Sequence, residues 1–563
     1  MAESAEQAIV DMVAAQGMGA DVVELRVDAL HDGETWERVV AARTLPVIVT
    51  CRPVWEGGLC CLPEEERLRV LERAVECGVE YVDVELAAMD RFRMPRNGRS
   101  TRLIVSHHCY GRALTAQELI EVQAAIIATG ADACKIAFMC SDVCDNAAIF
   151  DVLQRSAAAN SLPTIVLGMG EHGQLSRLLA GKFGPALLTF TAVDARRASA
   201  PGQLLTRELV SMYRFKQLNV DTEVYGIIGS PVAHSMSPLV HNRAFGALQM
   251  NRVYVPILVS DGERLGEFFQ RMLRYGMRGF SVTIPHKERA LKLMDEVDAA
   301  AADIGAINTV VVDARTGRMR GSNTDWEAAV SAIEEALQRM PQPPLPSTAA
   351  ESAAVPWDTL GEPDPEPMSS WAERAPTEPP NWYQPNPLVP LQGKRVVLVG
   401  AGGAARAIAY GVLYRQCETL LLVNRTRERA EALMRDLVAL GHLNVLVVSW
   451  DDFLAQRMPE ALEIDSIDVL INSTSIGMHP REHETPVPPE LLRPHMLVFD
   501  AVYNPLETRL LRDAQRIGCA TVSGLEMFVR QAVLQFKAWT GCRAPVEKMR
   551  AAVLERLRAP APV

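Results

Sequence analysis

The chain has 563 residues, 48% of them hydrophobic and 22% charged, with a formal net charge of −12. A single hydrophobic core stops growing at roughly 250–300 residues, so two or three domains are expected. The acidic balance argues against a nucleic-acid partner, which needs clustered Lys and Arg, and no run reaches the roughly 20 apolar residues of a membrane span.

The first residues carry no signal-peptide pattern, so the chain as written is expected in the cytosol. Its 11 cysteines lack zinc-type spacing and are read as reduced thiols, with no metal expected. From a helix-like opening, Ser4 to Gln16, to about Leu218, seven apolar runs alternate with amphipathic stretches. The runs are VVELRVD, PVIVTCR, YVDVEL, RLIVSHH, ACKIAFM, PTIVLGM and ALLTFTAV, the pattern of a parallel sheet wrapped by helices. Barrel chemistry sits where strands end, and polar residues collect there: Glu24, Arg26, Asp28, Arg52, His108 and Lys135, with Arg177 after Gly173. Lys135 lies between Cys134 and Ile136; taken alone it reads first as a snorkelling or ion-paired lysine, while desolvation and nearby Arg charges would leave it a free amine able to attack a ketone. His107 competes with His108 for the role of base, because strand alternation lets only one face the barrel mouth.

The second half repeats the alternation: TEVYGIIG, RVYVPILV, GFSVTIP and AINTVVV, then RVVLVG, TLLLVN, LNVLVV, DVLINST and LVFDAV. Between these two sets, Pro341 to Pro390 holds 14 prolines and no hydrophobic period, so a disordered or extended insertion is expected. Trp357, Trp371 and Trp382 within it mark either a surface insertion, the preferred reading, or a docking motif. GAGGAAR at Gly400 follows an apolar strand and precedes a helix, as a pyrophosphate-binding turn does. Gly400, Ala401, Gly402, Gly403 and Ala404 are its candidate cofactor ligands. The next strand ends not in an acid but in Asn424, Arg425, Thr426 and Arg429, which favours NADP over NAD.

ELRVD at Glu24, CRPVWEGG at Cys51, SHH at Ser106, KIA at Lys135, GQLSR at Gly173 and SAPGQ at Ser199 resemble type I dehydroquinate dehydratase across nearly the whole first lobe. The resemblance implies a (β/α)8-type barrel with its first strand apparently missing. In that family's pattern Lys135 forms an imine with the substrate ketone. His108, the second histidine, takes a proton and later returns it to the departing hydroxyl. Glu56 orients His108, Arg177 clamps the substrate carboxylate, Glu24, Arg26 and Arg52 hold hydroxyls, and Ser199 and Gln203 belong to a lid. An upstream start is expected to supply the missing strand and a plastid transit peptide.

SPVAHSMSP at Ser230, GFSVTIPHK at Gly279, GAINT at Gly305, SNTD at Ser322, NSTSIGM at Asn472, DAVYNP at Asp500 and GLEMFVRQA at Gly524 resemble shikimate dehydrogenase. That resemblance implies a two-lobed α/β domain with a Rossmann lobe for NADP, Gly524 among the cofactor contacts. Lys287 and Asp325 are its catalytic pair. Ser235, Ser237 and Tyr503 meet the substrate carboxylate, and Thr283, Asn308 and Gln531 hold ring hydroxyls. The expected boundaries are 1–218 for the barrel, 222–335 with 530–563 for the substrate lobe, 341–390 for the insertion and 391–529 for the NADP lobe.

The order of the two halves is similar to the plant and algal fused enzymes. It implies dehydration of 3-dehydroquinate to 3-dehydroshikimate and NADPH-dependent reduction to shikimate, by a monomer. Two alternatives stay open: a chain active only in its dehydrogenase half, and one that also uses quinate.

Overall fold

A computed structural model describes residues 1–30, 35–95, 100–159, 162–183, 189–340, 390–459 and 462–558. Residues 341–389, with Trp357, Trp371 and Trp382, lie outside the described residues, and so does the expectation placed on them. The chain divides into two compact units, Met1–His286 and Lys287–Val563.

The first unit opens with the helix Ala5–Gly17, whose N-cap Ser4 hydroxyl accepts the Gln7 N–H at 3.2 Å. Six parallel strands then lie side by side in chain order: β1 Val23–Arg26, β2 Val47–Thr50, β3 Tyr81–Glu85, β4 Arg102–Cys109, β5 Ala133–Met139 and β6 Thr164–Met169. Crossover helices such as Glu64–Glu76, Ala116–Ala128 and Asn146–Ala158 cover the sheet. β2 and β6 are buried throughout, which is why they read as unbroken apolar runs. The seventh run, ALLTFTAV, departs from expectation. It is described only from Thr189 onward and carries no strand there; a single bridge joins Ala192 to Leu205, flanked by a 2.8 Å Thr191–Thr206 hydroxyl pair.

The same unit continues through β7 Glu223–Gly229, β8 Arg252–Leu258 and β9 Met277–Val282, with β7 pairing parallel to both others. Specific contacts make this one unit. Tyr275 packs edge-on against Phe150 at 5.1 Å and Phe183 at 5.9 Å, and its hydroxyl lies 2.8 Å from Asp151 Oδ1. Buried Lys182 donates to the carbonyls of Val220 and Thr222 at 2.8 and 2.7 Å.

In the second unit, β12 Met319–Ser322 pairs parallel with β10 Glu296–Val297 and antiparallel with β11 Thr309–Val312. A doubly wound sheet follows, built from β13 Arg395–Val399, β14 Thr419–Asn424, β15 Val445–Ser449, β16 Val469–Asn472, β17 Leu497–Asp500 and β18 Ala520–Ser523. Its order is β15-β14-β13-β16-β17-β18. Val396 and Leu398 enter one core while Val397 and Val399 enter the other, the period-two signature of a strand buried on both faces. The strand order reverses at β13 and β16, where loops diverge and leave a ligand crevice. The sequence reading missed β10, β12 and β18, which are short and polar and offer no apolar run.

Candidate functional sites

Five neighbouring strands of the first unit bring their carboxyl-end side chains onto one buried cluster. Register explains it: Thr50 lies opposite Asp83, Glu85 opposite Ser106 and Ser106 opposite Lys135, so the alternate residues of successive strands share a face. Lys135 is 5% exposed, with Nζ 2.8 Å from Asp83 Oδ2 and 3.2 Å from Glu24 Oε1. The Phe190 ring lies 4.3 Å from that nitrogen. His108 Nδ1 is 2.9 Å from Glu56 Oε2, whereas His107 Nδ1 stands 4.0 Å from Glu56 Oε1 and is far more exposed. The second histidine is therefore the one held inside. Burial, then the charges of Arg52 and Lys135, holds the His108 imidazole well below its ordinary pKa, so it rests neutral. Burial, opposed by Arg52, pushes the Glu56 carboxyl up to about 8.

The cluster departs from expectation in three respects. Lys135 is ion-paired with carboxylates, while the Arg52 guanidinium meets it only across the shared Asp83 oxygen. Arg52, expected to hold substrate hydroxyls, contacts Glu56, Glu85, Ser106 and Asp83 at 3.4, 2.7, 2.8 and 2.9 Å and so also serves as an internal counter-charge. Arg26 forms a bidentate pair with Asp28 at 2.9 and 2.6 Å. Arg177 has a different environment. Its guanidinium is buried, donates from Nε to the Gly168 carbonyl at 3.1 Å and has no carboxylate partner among the described residues, while burial lowers its pKa to about 10. Ser199 and Gln203 are joined, the Ser199 N–H donating to Gln203 Oε1 at 2.8 Å.

Asp83 and Glu85 escaped the sequence reading, although an i, i+2 pair of acids inside an apolar strand was the available signal. They extend an alternating charge ladder: Arg67 Nη1 lies 2.7 Å from Glu85 Oε2, off the hydrogen-bond axis, and Arg67 Nη2 lies 2.6 Å from Glu64. Arg67→Ala removes one partner of a fully buried pair and is expected to cost about 3–5 kcal/mol, read as a lowered unfolding midpoint.

In the second unit, Lys287 Nζ contacts Asp325 Oδ2 at 2.6 Å, and Asn308 Nδ2 donates to Asp325 Oδ1 at 2.7 Å. Asn308 thus orients the carboxylate, an addition to its expected role toward a hydroxyl. Its Oδ1 accepts from Thr324 N and Thr309 Oγ1 at 2.8 and 2.7 Å. Thr324 and Gln535 were missed; Gln535 Nε2 donates to the Asn308 carbonyl at 3.1 Å from the same helix that carries Gln531, Gly524–Thr540. Gln531 Nε2 donates to Phe528 O at 3.0 Å, and the half-buried Tyr503 ring stacks on Phe528 at 4.6 Å. Ser235, Ser237 and Thr283 belong to the first unit. Ser237 opens the helix Ser237–Ala247 with its N–H on Ser235 Oγ at 3.2 Å, and the Thr283 N–H pairs with Ile228 O at 2.9 Å.

The glycine-rich turn has the shape a dinucleotide requires. Gly400 has φ +118°, and a Cβ there would stand 2.4 Å from Ser473 Oγ. Above Gly402 a Cβ would meet nothing within 4 Å, and at Gly403 it would reach Lys287 Cδ at 3.6 Å, so the open cradle borders the lysine. The helix Gly403–Tyr414 begins there, its free N–H groups suited to phosphate. Arg425, Thr426 and Arg429 are exposed beyond β14, neither arginine side chain having an ion-pair partner among the described residues, while Asn424 Nδ2 donates to Thr426 O at 2.7 Å. Gly524 packs so closely that a Cβ would stand 2.4 Å from Ala501 O.

Four family profiles match the chain: Type I 3-dehydroquinase over residues 1–220, Shikimate dehydrogenase substrate binding domain over 227–310, Shikimate / quinate 5-dehydrogenase over 386–481 and Shikimate 5'-dehydrogenase C-terminal domain over 524–554. The chain is 40% identical to a chloroplastic bifunctional 3-dehydroquinate dehydratase/shikimate dehydrogenase of Arabidopsis thaliana, covering 97% of this chain and 82% of that protein. It is 36% identical to a shikimate dehydrogenase (NADP(+)) of Moorella thermoacetica over 59% of this chain and 93% of that one. A solved shikimate 5-dehydrogenase of Thermus thermophilus, in complex with NADP(H) and shikimate, is 28% identical with a TM-score of 0.43, covering 59% of this chain and 99% of that chain.

Proposed function

The chain belongs to the bifunctional 3-dehydroquinate dehydratase/shikimate dehydrogenase family, and from that membership we propose how its own residues divide the two reactions. It dehydrates 3-dehydroquinate to 3-dehydroshikimate and reduces that ketone to shikimate with NADPH.

In the first reaction Lys135 forms an imine with the substrate ketone. His108 removes the proton from the adjacent carbon and protonates the departing hydroxyl. Glu56 fixes the imidazole through Nδ1, and Arg177, which has no carboxylate partner among the described residues, receives the substrate carboxylate. The observation that carries this reading is a buried lysine on the strand next to a neutral histidine that it influences electrostatically and that a carboxyl group holds by Nδ1. Borohydride added with 3-dehydroquinate is expected to attach one reduced substrate to Lys135, seen by peptide mass; an unmodified Lys135 under turnover conditions sinks the imine. Because the neutral imidazole is the base, a depressed His108 pKa extends activity to acid. The acid limb of dehydratase kcat/KM is therefore expected below pH 6.5, the ordinary histidine value, and a limb at or above it contradicts the assignment.

In the second reaction the Lys287 ammonium donates a proton to the carbonyl oxygen and Asp325 holds it in position. NADPH supplies the hydride; Gly400 to Ala404, with the helix start at Gly403, hold its pyrophosphate, and Arg425, Thr426 and Arg429 its 2′-phosphate. Tyr503, Gln531 and Asn308 serve the substrate acid and ring hydroxyls. By the motifs that contain them, Ser235 and Ser237 are assigned to the substrate carboxylate and Thr283 to a ring hydroxyl. Arg425→Ala is expected to raise the KM for NADPH about tenfold and leave NADH unaffected, since a charge-assisted contact is worth roughly 1.5–3 kcal/mol. By the family resemblance, retention of both Ser237 and Thr283 favours shikimate over quinate; equal kcat/KM for quinate and shikimate contradicts this. A plastid location is assigned on the chloroplastic designation of the Arabidopsis relative. Among the described residues no helix is long and apolar enough to cross a membrane.

A further inference from the structure

An imine on Lys135 places a positive charge on a nitrogen that is walled off from water, and the groups around that nitrogen differ sharply in what they offer it. Asp83 Oδ2 on β3 lies 2.8 Å from Nζ, Glu24 Oε1 on β1 lies 3.2 Å away, and the Phe190 ring stands at 4.3 Å. Further charged or titratable groups around this cluster are Arg52 after β2, Glu56 in the loop that follows, Glu85 on β3, His108 on β4 and Arg26 at the end of β1. Arg52 Nη2 binds the same Asp83 oxygen at 2.9 Å, and Ser106 Oγ donates to the other at 2.6 Å. Glu56 is pushed towards its neutral form and His108 rests uncharged, so neither supplies a fixed negative charge at neutral pH. Asp83 differs: burial would raise its pKa, but Arg52 and then Lys135 hold its carboxyl far below the usual carboxylate range.

We propose that Asp83 is the fixed counter-ion of the iminium formed at Lys135, keeping that nitrogen protonated while the neighbouring carbon gives up its proton. This rests on the imine reading above and adds a role for a residue that the sequence motifs did not single out. The amine lone pair forms the C–N bond to the ketone carbon, and the ketone oxygen leaves as water after taking two protons, giving C=N with one hydrogen and the positive charge on nitrogen. His108 takes the proton from the adjacent carbon; the C–H pair becomes a C=C bond and the C=N pair returns to nitrogen as a neutral enamine. The enamine pair then expels the hydroxyl, which leaves as water with the proton from His108, and the conjugated iminium forms. Water hydrolyses it to the unsaturated ketone and frees Lys135. Positive charge therefore occupies the nitrogen twice, and an ionised carboxylate 2.8 Å away favours both iminium states over the neutral imine. Arg52 on the same oxygen tempers that pull, so the charge can still leave nitrogen when the enamine forms.

The test is hydride trapping of the full chain with 3-dehydroquinate, followed by intact mass from mildly acid to alkaline pH, because the protonated iminium is the species that hydride reduces. Wild-type trapping is expected to persist into the alkaline range. Asp83→Asn should lose it at a pH lower by about 1–3 units, with a reduced kcat and a nearly unchanged KM. Asp83→Glu keeps the charge but moves the oxygen, and its alkaline limb should fall between the two, so the proposal stays testable if the asparagine variant does not fold. NADPH reduction by the same preparations and their circular dichroism report on folding. An alkaline limb in either folded variant that coincides with wild type overturns the counter-ion, as does an equal loss of trapping at every pH. Failure of the wild-type chain to be trapped at any pH is a different result: it overturns the imine itself.

Discussion

Lys135→Ala is expected to abolish dehydration, with a fall in kcat on the order of 10⁵-fold, while reduction of 3-dehydroshikimate by the same protein continues at the wild-type rate. The size follows from unit action. Without the amine there is no iminium to take the electron pair released at the adjacent carbon, so His108 and Glu56 have no stabilised carbanion to serve. The independence follows from placement: Lys135 sits in the cluster built on β1 to β5, whereas Ser235, Ser237 and Thr283 come from later segments of that unit and the Lys287–Asp325 pair lies in the unit Lys287–Val563. Appearance of the unsaturated ketone in the ultraviolet measures the first rate and NADPH consumption the second. Dehydration by the alanine variant at a rate comparable to wild type sinks covalent catalysis.

Lys287→Met should do the converse, lowering reductase kcat by about 10²–10⁴-fold, the usual weight of a positioned general acid, and leaving dehydration intact. Asp325→Asn is expected to act in the same direction. Asp325 uses both oxygens, Oδ2 on Lys287 Nζ at 2.6 Å and Oδ1 on Asn308 Nδ2 at 2.7 Å, so an amide facing the ammonium would replace an attraction by a clash of donors. NADPH oxidation at saturating 3-dehydroshikimate distinguishes the pair from a binding role: a change confined to KM in both variants removes it from the chemistry.

Much of the reductase site was legible because its signals are compact in the chain. GAGGAAR between an apolar strand and a helix, and SNTD after GAINT, each place several groups within a single turn. The dehydratase site was legible in its identities but not in its electrostatics. Lys135 was expected near arginine charge, and Arg52 does share its Asp83 oxygen, but its direct partners are Asp83 and Glu24, 52 and 111 positions away in sequence. Arg52 was expected to hold substrate but is surrounded by three acids and Ser106. Neither outcome is visible along a single strand. Both depend on which strands lie side by side and in what register.

Sequence alone determined the two α/β halves, the nucleotide turn, the NADP preference and the family of each half, because periodicity, glycine geometry and motif spacing are properties of short stretches of chain. Tertiary structure decided which histidine faces inward, which acids meet Lys135, and that β7, β8 and β9 share a compact unit with the barrel strands through Tyr275 and Lys182. Those outcomes are set by burial and by charges meeting at 3 Å or less across long sequence separations, and a buried charge takes its state from whatever the fold places beside it.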